Sequence, residues 1–479
     1  MSDCCSTPSS TVPAPSQCET DASCRMPLVS LFAGAAVWLL VASIAAVLAS
    51  MSFHKPDMFA DKMALSYGRI LPFAKTVFLY GFCLPSGYGI ALWLAARLGR
   101  TTLACGVAPV VAAKLWHLGV FIGAFGILCG ASTGYEGFEM PRYSMLMLLA
   151  AAFLLGITGL ATIHKRTDRE MYPSQWFLLT GFLWFPWILS TAILTLDFSP
   201  VRGLAQVAVQ GWYLHNLQFV VLGLFGVGGL LYFVPKLSGK DLPSKYLALF
   251  TYLFLVLFGT WGGISVGTPL PAWMSSMCAV AALLGVVTAL SFMENLRTVC
   301  CSKSPAAEAK FFPFSMMFFF IASVLAAIAV LPVIGPKLSL TLFQAGQTHL
   351  LVAGFFGLFA LGGIYHVLPK VTDIEWPKAG FIRAHLGLAT LGVVLIGGAY
   401  VFGGWQQGAK LATDGVKFVD VARSTLMPIR MATMGELLAA LGSLLFVVNV
   451  MMLVYRRARK CISCCDASGA GLCATEVKS

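Results

Sequence analysis

Runs of about eighteen or more apolar residues recur along this chain from residue 27 to residue 455. No other feature limits its fold so severely. A bilayer core holds no water, so a crossing segment must satisfy its backbone hydrogen bonds internally, as a helix or within a closed barrel. The runs are long and continuous rather than short and alternating, which selects helix. Composition agrees: 58% of the 479 residues are hydrophobic and 11% are charged, against about a quarter charged in soluble domains.

The sequence therefore predicts an all-α polytopic membrane protein with twelve transmembrane helices. They are expected near 27–51, 70–96, 107–131, 143–163, 176–197, 207–234, 246–268, 271–293, 312–335, 344–368, 382–404 and 428–455. At 1.5 Å rise per residue each is long enough to cross, several with tilt. With the N-terminus placed in the cytoplasm, the segments on that side carry 20 of the 32 Lys and Arg residues. The opposite loops carry nine, and Lys75, Lys114 and Arg430 fall within spans. This bias puts both termini in the cytoplasm. The net charge of +12 is thereby explained by orientation, and no nucleic acid is needed to account for it.

Residues 1–25, rich in Cys, Ser and Pro, are expected to form a disordered cytoplasmic tail. Residues 26–456 form the membrane domain, and 457–479 a basic, Cys-rich cytoplasmic tail. The first apolar run is too long for the core of a signal peptide. Eight of the 14 cysteines lie in the tails, and a reducing compartment argues against structural disulfides. Cys461-Ile-Ser-Cys464 is a CxxC pair suited to a soft metal such as Cu(I) or Zn. The competing reading is free or palmitoylated thiols beside the last helix.

Ionisable groups at membrane depth are functional candidates. His215 and His349 lie about eight and about five residues below the far ends of their helices, in one layer of the membrane. Two imidazoles at one depth on different helices suit a shared metal or heme. The alternative is a histidine satisfied by a neighbouring carbonyl, Asn or Gln; Asn216 and Gln218 stand close to His215. His117 sits near the middle of the third span. Lys75 lies in the same layer as His215 and His349 and is expected to snorkel to the surface. The Phe-rich stretch Phe318–Phe320 reads as packing or lipid contact.

Several stretches carry a family resemblance. They are Gly68-Arg69-Ile70-Leu71-Pro72, Tyr172-Pro173-Ser174-Gln175-Trp176-Phe177, Gly211-Trp212-Tyr213-Leu214-His215-Asn216, Leu231-Tyr232-Phe233-Val234-Pro235-Lys236, Leu270-Pro271-Ala272-Trp273, and Gly346-Gln347-Thr348-His349 with Ile364-Tyr365-His366-Val367-Leu368-Pro369. From about Tyr67 to Tyr455 the chain resembles the catalytic subunit of cbb3-type cytochrome c oxidase, in the heme–copper oxidase superfamily. That resemblance implies a subunit I-like bundle in an energy-transducing bacterial inner membrane. It also implies six histidines holding two hemes and a copper ion, with the second, sixth, seventh and tenth helices supplying them.

Matched residue by residue, two of the six are kept. His215 stands at the copper ligand of the sixth helix. His349 stands at the low-spin heme ligand of the tenth. The high-spin heme ligand is replaced by Gln347, and the second-helix heme ligand by Ala74. The adjacent pair of the seventh helix is replaced by Gly263 and Ile264, and the family's tyrosine there falls near Leu257. The resemblance thus implies a ligand-depleted member without copper at the family site and with at most one b-type heme, on His349. Lys75 and His117 are candidates for the sixth ligand. Expected partners are membrane lipid and cytochrome c-type or oxidase-family subunits. Two alternatives remain at this stage: an active oxidase reducing dioxygen with altered ligation, and a twelve-helix transporter. The sequence shows no half-to-half repeat of the kind transporters carry.

Overall fold

The computed structural model describes residues 15–467 apart from 60, 169, 266 and 301–305, with side chains as far as residue 460. Every regular element among the described residues is helical. Eleven helices are long and apolar enough to cross a membrane: Gln17–Met51, Tyr67–Gly99, Ala108–Cys129, Arg142–His164, Pro173–Phe198, Leu204–Ser238, Ala272–Cys300, Ala307–Ala329, Leu342–Thr372, Ala379–Leu411 and Phe418–Lys460. Between the sixth and seventh of these lies a shorter apolar helix, Lys245–Trp261. It takes the place of the expected seventh span, and the ordinal numbers below count it so.

Most helices outrun the expected spans at one or both ends, because hydropathy marks only the apolar slab and a helix continues past it wherever its termini are satisfied. The first span shows this best. It begins at Gln17, inside the segment that composition assigns to a disordered tail. Ser16 caps it: the Ser16 hydroxyl accepts from the Glu19 amide, and the Glu19 carboxylate accepts from the Ser16 amide. This reciprocal box satisfies two amides that a helix start would otherwise leave unbonded.

The first turns are also tied to the body. Arg97, at the end of the second span, pairs with Asp21 at 2.9 Å, and Trp93 donates its indole N–H to the other Asp21 oxygen at 2.9 Å. Arg25 donates to the Val371 carbonyl at 2.7 Å. We call the end holding Gln17 and Lys460 the near end, and its opposite the far end.

The second, sixth and tenth spans form the centre. Their most apolar stretches are 94% buried, against 33–56% for the other crossing helices. Each of the three contains a π-helical segment, at Val77–Cys83, Asn216–Val221 and Leu350–Gly357. Such insertions are rare and cluster at functional sites. Each begins within three residues of a position singled out by the sequence, Ala74, His215 or His349. Aromatic rings fill the interior towards the near end: Trp93, Phe233 and Phe312 lie nearly parallel in succession, at 6.2 and 5.3 Å between centroids. Phe318 and Phe319 are buried, so two of the three phenylalanines in that stretch pack inward.

The seventh helix departs most from expectation. An apolar composition through Ile264 predicts a span over 246–268. The α-helix instead ends at Leu257, and a single tight turn follows at Gly259–Trp261. Thirteen helical residues reach about 20 Å, short of a hydrocarbon core of about 30 Å. The break lies at Gly262-Gly263, where Gly263 has φ +110°, a backbone state that a residue with a Cβ rarely adopts.

Candidate functional site

A cavity of about 790 Å³ lies against the three central spans in the far half of the bundle. Its wall includes Ala74, Lys75, His215, Gln347 and His349. The positions that the resemblance singles out on three different spans are thus brought to one chamber, together with Gly263 and Ile264 from the loop that follows the truncated seventh helix.

At this chamber His215 is already engaged. Its Nε2 donates to the Gly259 carbonyl at 2.9 Å, and its ring stacks on Phe219 at 5.4 Å. Asn216, fully buried, donates to the Trp212 and Thr260 carbonyls and accepts from the Trp184 indole. Both side chains of the His-Asn pair therefore cap the unwound end of the seventh helix, taking up carbonyls that its missing turns would have used. A Cβ built on Gly262 would fall 2.2 Å from His215 Nε2. The imidazole occupies the volume that a side chain there would need. Gln347 is engaged too, donating to the Ala322 carbonyl at 3.2 Å.

His349 differs. Its Nε2 is buried and has no hydrogen-bond partner. A neutral imidazole nitrogen left open on a cavity wall is the donor that a heme iron takes. Across the chamber, Ala74 offers no donor. Lys75 points to the far rim, where its ammonium pairs with Glu136 at 2.7 Å and both side chains are about half exposed. His117 packs on Gly34 of the first span and is not part of the chamber wall. The Cys461 and Cys464 side chains lie outside the described residues. Among the described residues no group of three or more His, Cys, Asp or Glu has the arrangement of a metal site.

The residues thus fit a heme iron in one respect, the open nitrogen of His349. They do not fit copper: the one imidazole that the resemblance matches to a copper ligand, His215, is bonded to a carbonyl, and the positions it matches to the other two are Gly263 and Ile264. A heme also brings two propionates, and the wall offers them little. Its only Lys or Arg among the described residues is Lys75, already paired with Glu136.

Three acidic side chains line the chamber: Glu136, Glu139 and Glu436. Sequence reasoning passed over all three. Glu436 was within reach of it, as a lone acid in the apolar run of the twelfth span. Glu139 lies in the loop before the fourth span and is 5% exposed. It accepts from the Thr76 hydroxyl at 2.9 Å, and beside it the Tyr80 and Tyr213 hydroxyls meet at 2.5 Å. Burial holds the Glu139 carboxyl above its ordinary pKa. The folded state therefore favours its protonated form, and ionising it costs stability as pH rises from the unfolded pKa through the folded one. Glu139→Gln keeps a partner for Thr76 and removes that cost. Unfolding curves at pH 4 and pH 7.5 should show the variant gaining on wild type at the higher pH, and a constant difference would contradict the assignment. At the near end, Asp373 has the opposite sign: its hydrogen bond to Lys460 lowers its pKa.

Three comparisons bear on this geometry. The family model described as cytochrome c and quinol oxidase polypeptide I matches residues 27–445. The cbb3-type cytochrome c oxidase subunit CcoN1 of Stutzerimonas stutzeri is 24% identical over 405 residues, covering 78% of this chain and 80% of that one. A cytochrome c oxidase subunit 1 homolog of Azorhizobium caulinodans is 22% identical over 460 residues, covering 88% and 80%. Among solved structures, a heme–copper terminal oxidase dimer superposes with a TM-score of 0.65 at 13% identity, over 88% of this chain and 84% of that one. This last likeness is one of fold.

Proposed function

The chain belongs to the cytochrome c and quinol oxidase polypeptide I family, and from that membership we propose that it is a member without the oxygen-reducing heme–copper centre. It is a heme–copper oxidase subunit I-like integral membrane protein. In our reading it serves respiratory electron transport as a partner or assembly subunit beside cytochrome c-type or oxidase-family subunits. Both termini lie in the cytoplasm of a bacterial inner membrane, as the Lys and Arg bias supports. It holds at most one b-type heme, with His349 as the iron's ligand. Such a heme would supply one-electron transfer and nothing more, since reducing dioxygen by the family route takes iron and copper side by side.

The observation that carries this reading is the hydrogen bond from His215 Nε2 to the Gly259 carbonyl. The single retained copper position is spent on finishing a broken helix. One imidazole without neighbouring donors is a poor copper site in any case.

The test is a reduced-minus-oxidised spectrum of the purified chain, with iron and copper analysis. We expect no stoichiometric copper and either no heme or one low-spin b-type signal, the latter abolished by His349→Ala. Stoichiometric copper with two hemes would overturn the proposal and restore an active oxidase.

A further inference from the structure

The reading above leaves the chamber's occupant open between one heme and none, and the chamber wall itself carries the question further. Between the first and twelfth spans the polar side chains mostly satisfy one another. The Ser43 and Ser443 hydroxyls meet at 2.9 Å, and Thr433 bonds Ser50 at 2.6 Å and His54 at 2.8 Å. Glu436 is the exception. It lines the chamber and has no hydrogen-bond or ion-pair partner among the described residues. Its neighbour Gly435 packs on Ile396 of the eleventh span, one turn from Tyr400, which lines the same wall.

A carboxylate at hydrocarbon depth is costly without a counter-charge and marks a site by default. With Lys75 tied to Glu136 and Glu139 favouring its protonated form, the chamber keeps one carboxyl without a counter-charge, Glu436. Its sign is therefore acidic, which opposes a dianionic ligand such as a heme with both propionates ionised. The rest of the wall is largely apolar, with rings at Phe78, Phe82 and Phe219, and aromatic faces attract cations.

We propose that the chamber binds an apolar organic cation, with Glu436 as its counter-charge and Tyr400 and the phenylalanines as its aromatic walls. The ligand class follows from three features together: a volume of about 790 Å³, an acidic balance, and an apolar lining. Ligand sites of this size are mostly apolar with a few placed polar groups that fix orientation. Nothing larger than a solvated metal ion is needed to neutralise Glu436, but a bare ion would leave the aromatic wall unused.

The test compares tetraphenylphosphonium with tetraphenylborate, ions of matched shape and opposite charge, on the purified full-length chain in one detergent. Heme content is measured on the same preparation. We expect saturable binding of the cation with a rise in unfolding temperature, and no such response to the anion. Glu436→Gln should weaken cation binding at least about tenfold while leaving the unliganded unfolding temperature close to wild type. Tyr400→Phe, which keeps the ring, should bind as wild type does, whereas Tyr400→Leu should bind more weakly. Equal binding of cation and anion, or equal cation binding by wild type and Glu436→Gln, overturns the inference. A purified chain carrying one stoichiometric heme also overturns it, while leaving the proposed function standing. Copper with two hemes would instead sink the proposed function.

Discussion

Asp21→Ala unfolds more easily than wild type by about 3–5 kcal/mol, the range for removing one partner of a largely buried ion pair. Three contributions add. The Arg97 guanidinium loses its counter-ion, with side chains 15% and 13% exposed in the pair. The Trp93 indole, on a fully buried side chain, loses its acceptor. Arg97 is also left beside Lys370: the two cations sit 5.5 and 5.6 Å from the Trp93 ring. Lys370 in turn donates to His366 Nε2 at 2.7 Å, which makes His366 Nδ1 the donor to Glu308 at 3.3 Å. Loss of Asp21 therefore propagates into a second near-end network. Asp21→Asn keeps an acceptor for Trp93 and should cost less. Lys75→Ala, at an exposed pair, serves as the control and should cost well under about 1 kcal/mol. Denaturant unfolding in detergent ranks the three. If Asp21→Ala were no less stable than Lys75→Ala, the near-end network would not hold the first span.

The sequence made the bundle legible because the bilayer punishes every unsatisfied backbone group, so crossing helices must announce themselves as long apolar runs. Their ends were less legible. Ser16-Gln17-Cys18-Glu19 is a readable capping box, but it lies outside the apolar slab on which hydropathy reports. The π-helical segments of the central spans leave no residue signature, because an inserted turn changes register and leaves composition alone. The chamber was half legible. Histidine depth placed His215 and His349 in one layer, and both line the same cavity. What histidine depth could not reveal was the partner of His215, a carbonyl 44 residues away exposed by a break in another helix. Glycines 262 and 263 are the only sequence trace of that break, and two glycines inside an apolar helix are ordinary in membrane spans.

Restoring the missing ligands should therefore fail in an informative way. Gly263→His with Ile264→His supplies the adjacent pair that the family resemblance places on the seventh helix, and with His215 makes three imidazoles on paper. The backbone refuses it. Gly263 has φ +110°, and a Cβ there would lie 2.3 Å from the Gly211 carbonyl oxygen of the sixth span. A residue with a side chain held in such a state costs about 1–3 kcal/mol, before the clash with an adjacent backbone is counted. The double variant should fold poorly and take up no copper. Ile264→His alone avoids the strained position and should fold, also without copper, because His215 remains bonded to Gly259. Copper analysis and electron paramagnetic resonance read both variants directly. Stoichiometric copper in the double variant would mean that the seventh helix rewinds when given its ligands. Copper chemistry would then be only two side chains away, and the early end of that helix would be a consequence of their loss rather than a fixed feature of this fold.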